Sequence, residues 1–256
     1  MDIMNAIKSF IKKYWITAII VVSACLTYKD LTDHKKIDTF VFTPFDEILK
    51  SFGRFWPVML KNLVSSFQLL FPSLFLGVAI ALIGGVIMGL NKRIRETLHP
   101  LIYGASVIPA ILLSPIALPV APDFRTASVF LIVYNTIWPT LFATITGIMT
   151  IDKRYLDTAS SMEIKGFDKM IHVIFPAAMP SIISGFITSL RGSFMILVFA
   201  EMYGTEFGMG YFIKKYSTFG LYSEVWSGFI FLVIVLVSVV QVFEHIKNRL
   251  LKWTLN

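Results

Sequence analysis

Apolar runs about 20 residues long recur through this sequence, each sufficient for a helix to cross a hydrocarbon layer about 30 Å thick. They lie at residues 10–28, 63–90, 98–121, 127–150, 181–202 and 225–245. Lipid offers the backbone no hydrogen-bond partner, so each run has to close its own bonds as a helix. The expectation is an all-α membrane protein with six transmembrane helices and both termini on one side. Composition agrees: the 256 residues are 56% hydrophobic and 15% charged, with 23 phenylalanines, more apolar surface than one soluble core hides. A soluble enzyme is excluded. The single cysteine, Cys25, leaves no internal disulfide and no thiolate metal centre to consider, and His34, His99, His172 and His245 show no metal-ligand spacing.

Charge assigns the sides. Lys and Arg flanking spans are retained in the cytoplasm. They crowd at the N-terminus (Lys8, Lys12, Lys13), after the second run (Lys92, Arg93, Arg95), after the fourth (Lys153, Arg154, Lys165, Lys169) and at the C-terminus (Lys247, Arg249, Lys252). Both termini are therefore read as cytoplasmic. This topology accounts for the formal charge of +7, and no basic stripe with interleaved aromatics points to nucleic acid. Val22-Ser23-Ala24-Cys25 resembles a lipoprotein cleavage box, but the apolar run continues past it to Tyr28, so the first span is read as retained. The chain divides into residues 1–62, a first span with an outside loop at 29–62, and residues 63–256, the other five spans with a cytoplasmic loop at 151–180. Gly77, Gly84, Gly85 and Gly89 predict close helix packing for the second run. Pro109, Pro115 and Pro119 predict a kinked or broken third. Trp15, Trp56, Trp226 and Trp253 fall near run ends, as interfacial aromatics do.

The loop after the fourth run, residues 152–176, is too polar to cross and too patterned for a slack linker. Tyr155, Leu156, Ala159 and Met162 form one face of a short helix that Asp152 can cap and Gly166 can stop. Phe167, Met170, Ile171, Ile174 and Phe175 repeat the helical spacing, and Pro176 and Pro180 are read as the end of that second helix. Such a pair either lies on lipid headgroups or docks a protein.

The same stretch resembles the coupling-loop motif of binding-protein-dependent ABC importer permeases: Glu-Ala-Ala, three residues, Gly, nine residues, Ile, one residue, Leu-Pro. Here Asp157-Thr158-Ala159, Glu163, Val173 and Phe175-Pro176 keep the spacing, with Ala159 and Pro176 identical. Thr158 replaces Ala and Glu163 replaces Gly, and Gly166 is expected to supply the turn. Pro176-Ala177-Ala178-Met179-Pro180-Ser181-Ile182 with Gly185, Ala200-Glu201-Met202 leading to Gly204, Gly208, Met209 and Gly210, and His99-Pro100-Leu101 with Ile108-Pro109-Ala110 are similar to the nitrate/sulfonate/taurine-type subfamily. Together these pieces cover residues 63–211.

The resemblance implies a type I ABC importer permease fold with cytoplasmic coupling helices, in a cell inner membrane. It implies one half of a pore, paired with a second copy (a homodimer), a dimer of ATP-binding subunits and an extracytoplasmic substrate-binding protein. The solute would be small, of sulfonate, nitrate, taurine or thiamine-precursor type, moved by alternating access. No cofactor is implied, and no Gly-Lys pair exists to build a phosphate loop, so ATP hydrolysis belongs to the partner. Asp157, Thr158, Ala159, Glu163, Gly166 and Pro176 carry over as the coupling contact. Arg191, Asn135 and Glu201 are the translocation-path candidates. Arg191 stands mid-span, where two readings remain: an internal ion pair or an anion contact. Asn135 and Gln68 suit interhelical hydrogen bonds, and Glu201 opens a glycine-rich turn that is either a plain loop at the membrane face or an outer gate or contact for the substrate-binding protein. No paired catalytic groups support an intramembrane enzyme. The remaining rival is an autonomous channel or secondary transporter, against which stands the lack of an internal repeat or charge ring.

Overall fold

The computed structural model describes the backbone of residues 2–251 and the side chains of residues 15–251. Lys252 and Trp253 lie outside the described residues, as do the side chains of Lys8, Lys12 and Lys13. Every regular element among the described residues is helical. Five helices are long and apolar enough to cross a membrane, and a sharply bent pair makes a sixth crossing if counted as one span.

The first helix is α1 (Asp2–Asp33), and from Trp15 onward its surface is almost wholly exposed. It is tied to the rest near its end, where Tyr28 Oη donates to Thr43 O at 2.9 Å and stacks edge-on against Phe45. Next comes α2 (Phe45–Leu90), 46 residues long, which corrects the expected loop at 29–62. Phe52 and Phe55 alternate at helical spacing with Ile48 and Met59, so the segment 45–62 buries an apolar stripe despite Lys50, Arg54 and Lys61 on its other face. The division drawn after residue 62 therefore falls inside one unbroken helix.

Asn91 stops α2 and caps α3 (Lys92–Ser106), its Oδ1 accepting from the N–H groups of Arg93 and Ile94 at 3.0 and 3.2 Å. Arg95 reaches back to the end of α2, Nη1 donating to Met88 O and Gly89 O. The third run is broken: α3 meets the stretch Ala110–Val120, a 3-10 turn (Ala110–Leu113) leading into α4 (Ser114–Val120), at 75° across residues 107–109. Pro109 lacks an N–H and holds an extended ψ of 133°, which ends helical hydrogen bonding there.

At the centre runs α5 (Phe124–Met149), packed between α2 and α8 (Phe175–Gly204). Small residues make the approach close: a Cβ on Gly85 would stand 2.6 Å from Thr144 Cβ, one on Gly147 would stand 2.9 Å from Ser181 Cβ, and one on Gly185 would overlap Ala143. Hydroxyls fill the seam between α5 and α8, where Thr136 and Thr140 pair with Ser193 and Ser189 at 2.7 and 2.8 Å, all fully buried. Two further helices complete the bundle, α9 (Met209–Thr218) and α10 (Tyr222–Leu250). Phe55 of α2 packs on Phe212 and Tyr216 of α9, and Phe52 packs on Phe231 of α10.

Candidate functional site

Between α5 and α8 lies a compact module at one end of the bundle. Asp152 caps α6 (Lys153–Ser161), Oδ1 accepting from Arg154 N at 2.9 Å while Oδ2 holds the Arg154 guanidinium. The hydrogen bond from that guanidinium holds the Asp152 carboxyl below the usual aspartate range. The stop is a two-bond turn: Glu163 N donates to Ser160 O at 3.1 Å and Ile164 N to Ala159 O at 2.9 Å. That geometry needs a left-handed residue after the helix, and Glu163 supplies it with φ +58°. Gly166 was expected to make this turn. It has a φ of +60° but instead opens the next helix, so the two left-handed residues end one element and begin another.

A second correction concerns Pro176 and Pro180. They do not end a helix before the fifth span. The short α7 (Gly166–Lys169) passes through a π turn, Met170–Ile174, straight into α8, with Pro176 in the first turn of α8. Across the π turn Phe175 N donates to Met170 O, so hydrogen bonding continues up to Pro176. A single helical path thus extends from Gly166 to Gly204.

On the module itself, Leu156 and Ala159 face inward, Ala159 at 2% exposure. Asp157, Thr158, Glu163 and Gly166 are exposed, beside exposed Tyr155, Met162, Phe167 and Ile171. A groove of about 380 Å³ opens between α6 and the π turn, lined by Tyr155, Ala159, Met162, His172 and Pro176 among others.

Arg191 lies on the outward face of α8 with Ser184, Thr188 and Met195, all exposed and one or two turns apart. Its Nη2 meets Glu244 Oε1 of α10 at 3.3 Å, and Lys247 Nζ meets Glu244 Oε2 at 2.6 Å. Asn135 sits at the α5–α8 seam, Nδ2 donating to Ser193 Oγ at 3.4 Å. Gln68 is exposed on a different surface, lining a cavity of about 150 Å³ with Ser65, Arg125, Glu201 and Thr205. The partners of Arg191 were not singled out from sequence. Their signal was the i, i+3 charge pair Glu244/Lys247 at the end of the sixth apolar run.

Glu201 is 2% exposed and serves the start of α9. Its Oε2 accepts from Gly210 N at 2.9 Å and from Ser66 Oγ at 3.0 Å; Ser66 in turn accepts from Met209 N, and Asn62 Oδ1 accepts from Gly208 N. Three consecutive N–H groups at a helix start are thereby satisfied from α2 and α8, with a carboxylate at the positive end of the helix. Of the glycines in this turn, Gly208 takes a positive φ of 103° and packs on the Glu201 carboxyl, while Gly204 and Gly210 are needed because Phe124 and Val198 O leave no room for a side chain.

Long apolar helices, a π-linked surface module and a polar face on α8 thus define a helical membrane protein. Residues 73–254 match the family of binding-protein-dependent transport system inner membrane components, and the chain belongs to that family. It is 28% identical over 178 residues to a putative aliphatic sulfonates transport permease protein, SsuC, of Bacillus subtilis, covering 70% of this chain and 64% of that one. It is 30% identical over 132 residues to the nitrate import permease protein NrtB of Synechococcus elongatus, covering 52% of this chain and 47% of that one. The matched regions thus span about half to two thirds of these relatives. The fold is shared with a chain of the MetNI methionine ABC transporter in an inward-facing conformation, at a TM-score of 0.67 and 15% identity, covering 77% of this chain and 98% of that chain. That is the type I ABC importer permease fold.

Proposed function

We propose that this chain is the membrane-spanning subunit of an ATP-driven importer for a small solute, working as a pair of identical copies with two ATP-binding subunits and an extracytoplasmic binding protein. The observation that carries this reading is the unbroken helical path from Gly166 to Gly204, which joins an exposed docking module to the polar face of α8. Motion imposed at one end is transmitted along a packed helix to the other. The groove beside α6 receives the ATP-binding subunit, with Asp157, Thr158, Glu163 and Gly166 at its exposed edge and Ala159 and Pro176 setting the seat of α6 on α8. The positive residues flanking the spans support a reading with this module and both termini in the cytoplasm and the chain in the cell's inner membrane.

Arg191, Ser184 and Thr188 line the translocation path, because lipid is a poor neighbour for them and the chain's own core does not cover them. Asn135 supports that face from behind through Ser193, and Glu201 holds the outer end in shape. Copurification with an ATPase encoded beside this chain, followed by uptake into proteoliposomes, tests the reading. Uptake is expected to require ATP and to be lost, with the ATPase no longer retained, in Asp157→Lys. Flux without ATP would instead support an autonomous channel or secondary transporter.

A further inference from the structure

Not one residue of α3 is buried, although the helix lies against the bundle. It meets the packed α2–α5 pair through Ile94 and Ile102, which rest half-buried on the cluster of Ala81, Met88, Leu141 and Ile145. Beside that contact a groove of about 460 Å³ opens between α3 and the end of α5. Its walls are mostly apolar, with Pro100 on one side and Phe142, Ile145 and Met149 on the other. Met149 ends α5 and Phe142 stands seven residues back, so the groove runs about 10 Å into the span.

The mouth of the groove is basic. Arg95 lines it; Nη1 donates to Met88 O and Gly89 O, and Nε and Nη2 have no acceptor among the described residues. Lys92 lies on the same face of α3 one turn nearer the helix start, and Glu96 holds it only loosely, at 3.7 Å. Arg93, at the edge of that face, pairs with no carboxylate among the described residues. Three cations thus meet one carboxylate. A Cβ on Gly89 would stand 2.9 Å from Ile148 Cβ, so this charged end is level with the end of α5, where the apolar part of the span gives way to charge. An apolar slot under a basic rim at the membrane surface fits a molecule with an anionic head and a hydrocarbon tail. A second copy of this chain is a poor fit, because the other flanks on this side carry Lys153, Arg154, Lys165 and Lys169, and basic rim would face basic flank.

We propose that the groove between α3 and α5 binds an anionic phospholipid, its phosphate on Arg95 and Lys92 and one acyl chain against Phe142, Ile145 and Met149. The inference requires only that the chain spans a membrane and stands apart from the importer reading. The Arg95 guanidinium offers paired donors to two phosphate oxygens, and Lys92 adds a point charge beside it. The acyl chain packs the side of α3 that the protein leaves open. A soluble phosphoester would satisfy the rim but leave the apolar wall uncovered.

The test is native mass spectrometry of the full chain in detergent, titrated with phosphatidylglycerol and with phosphatidylethanolamine of the same acyl chains. The first phosphatidylglycerol is expected to be retained about tenfold more tightly, and a cation at the membrane surface is worth about fivefold in such binding. Lys92→Gln should therefore lower the preference about fivefold, and Arg95→Gln by at least as much. Because Arg95 also caps α2, a second variant leaves every charge in place: Thr146→Trp fills the groove and should weaken retention of both lipids. Lys214→Gln with Lys215→Gln, which removes charge from α9 instead, should change neither. Equal retention of the two lipids by wild type would overturn the site, as would phosphatidylglycerol binding that survives either Lys92→Gln or Thr146→Trp. Glycerol 3-phosphate competing as well as the lipid would make this a soluble-phosphate site and overturn the lipid. A disulfide between copies through Thr146→Cys, in a Cys25→Ser background and phosphatidylglycerol vesicles, would put a second chain over the groove and overturn it too.

Discussion

Glu163 stands where the coupling motif has glycine, and its backbone explains why glycine belongs there. The turn that ends α6 requires a left-handed residue, and a side chain in that region costs about 1–2 kcal/mol. Two backbone hydrogen bonds from Glu163 and Ile164 hold the conformation against this cost. Glu163→Gly is therefore expected to stabilise the module by about 0.5–1 kcal/mol, after the entropy glycine adds to the unfolded chain is set against the relieved strain. Slower amide exchange at Glu163 and Ile164 in the variant is the readout. Unchanged or faster exchange would mean that the exposed Glu163 side chain contributes something to the turn that its backbone does not reveal. The departure from the motif was visible in the sequence, but its consequence was not. Gly166 looked like the natural turn residue because it was the nearest glycine, whereas hydrogen bonding sets the position of the turn and Glu163 has to accept it.

At the scale of elements, the long apolar helices were legible because continuous hydropathy leaves no alternative to a span. Where apolar and charged residues alternate, the same scan loses the helix. Lys50, Arg54 and Lys61 keep the segment 45–62 out of a scan for continuous apolar runs, although Ile48, Phe52, Phe55 and Met59 repeat at three and four residues. Periodicity, not mean hydropathy, was the signal. The prolines point the opposite way: Pro176 and Pro180 read as stops, but Pro176 lies in the first turn of α8 and Pro180 inside it. The start of α9 was out of reach, since Asn62, Ser66 and Glu201 come from distant parts of the chain and meet only on folding. Glu201→Ala should leave Gly210 N–H and Ser66 without their acceptor, costing about 1–3 kcal/mol for each buried group left unpaired. The element that suffers is α9, so limited proteolysis is expected to cut first between Thr205 and Thr218 in this variant. Glu201→Gln keeps an acceptor oxygen and should resist longer. Equal digestion of wild type and Glu201→Ala would show that packing of Phe212 alone holds α9 in place.

For the whole molecule, the arrangement of surfaces says more than any single span. Helices α2, α5 and α8 are fastened by small residues and hydroxyls into a layer whose seams have no room to slide, since even a methyl group on Gly85 or Gly185 would collide. Movement is therefore expected of the layer as a unit, with α6 and α7 as its handle and the outward face of α8 as the surface that opens and closes. That face should meet water in at least part of the cycle, while the opposite face of the same helix remains in the packed seam. Cysteines placed singly at Ser184 and Thr188, in a background with Cys25→Ser, are expected to react with a membrane-impermeant methanethiosulfonate reagent. A cysteine at Ser189, fully buried against Thr140, is expected to stay unreactive in the folded protein. Addition of ATP and the partner subunits should change the rates at Ser184 and Thr188, because alternating access exposes a path to one side at a time. Protection of both positions in every condition would place lipid or a permanent protein contact on this face. The polar stripe of α8 would then be an interface between copies rather than the wall of a path.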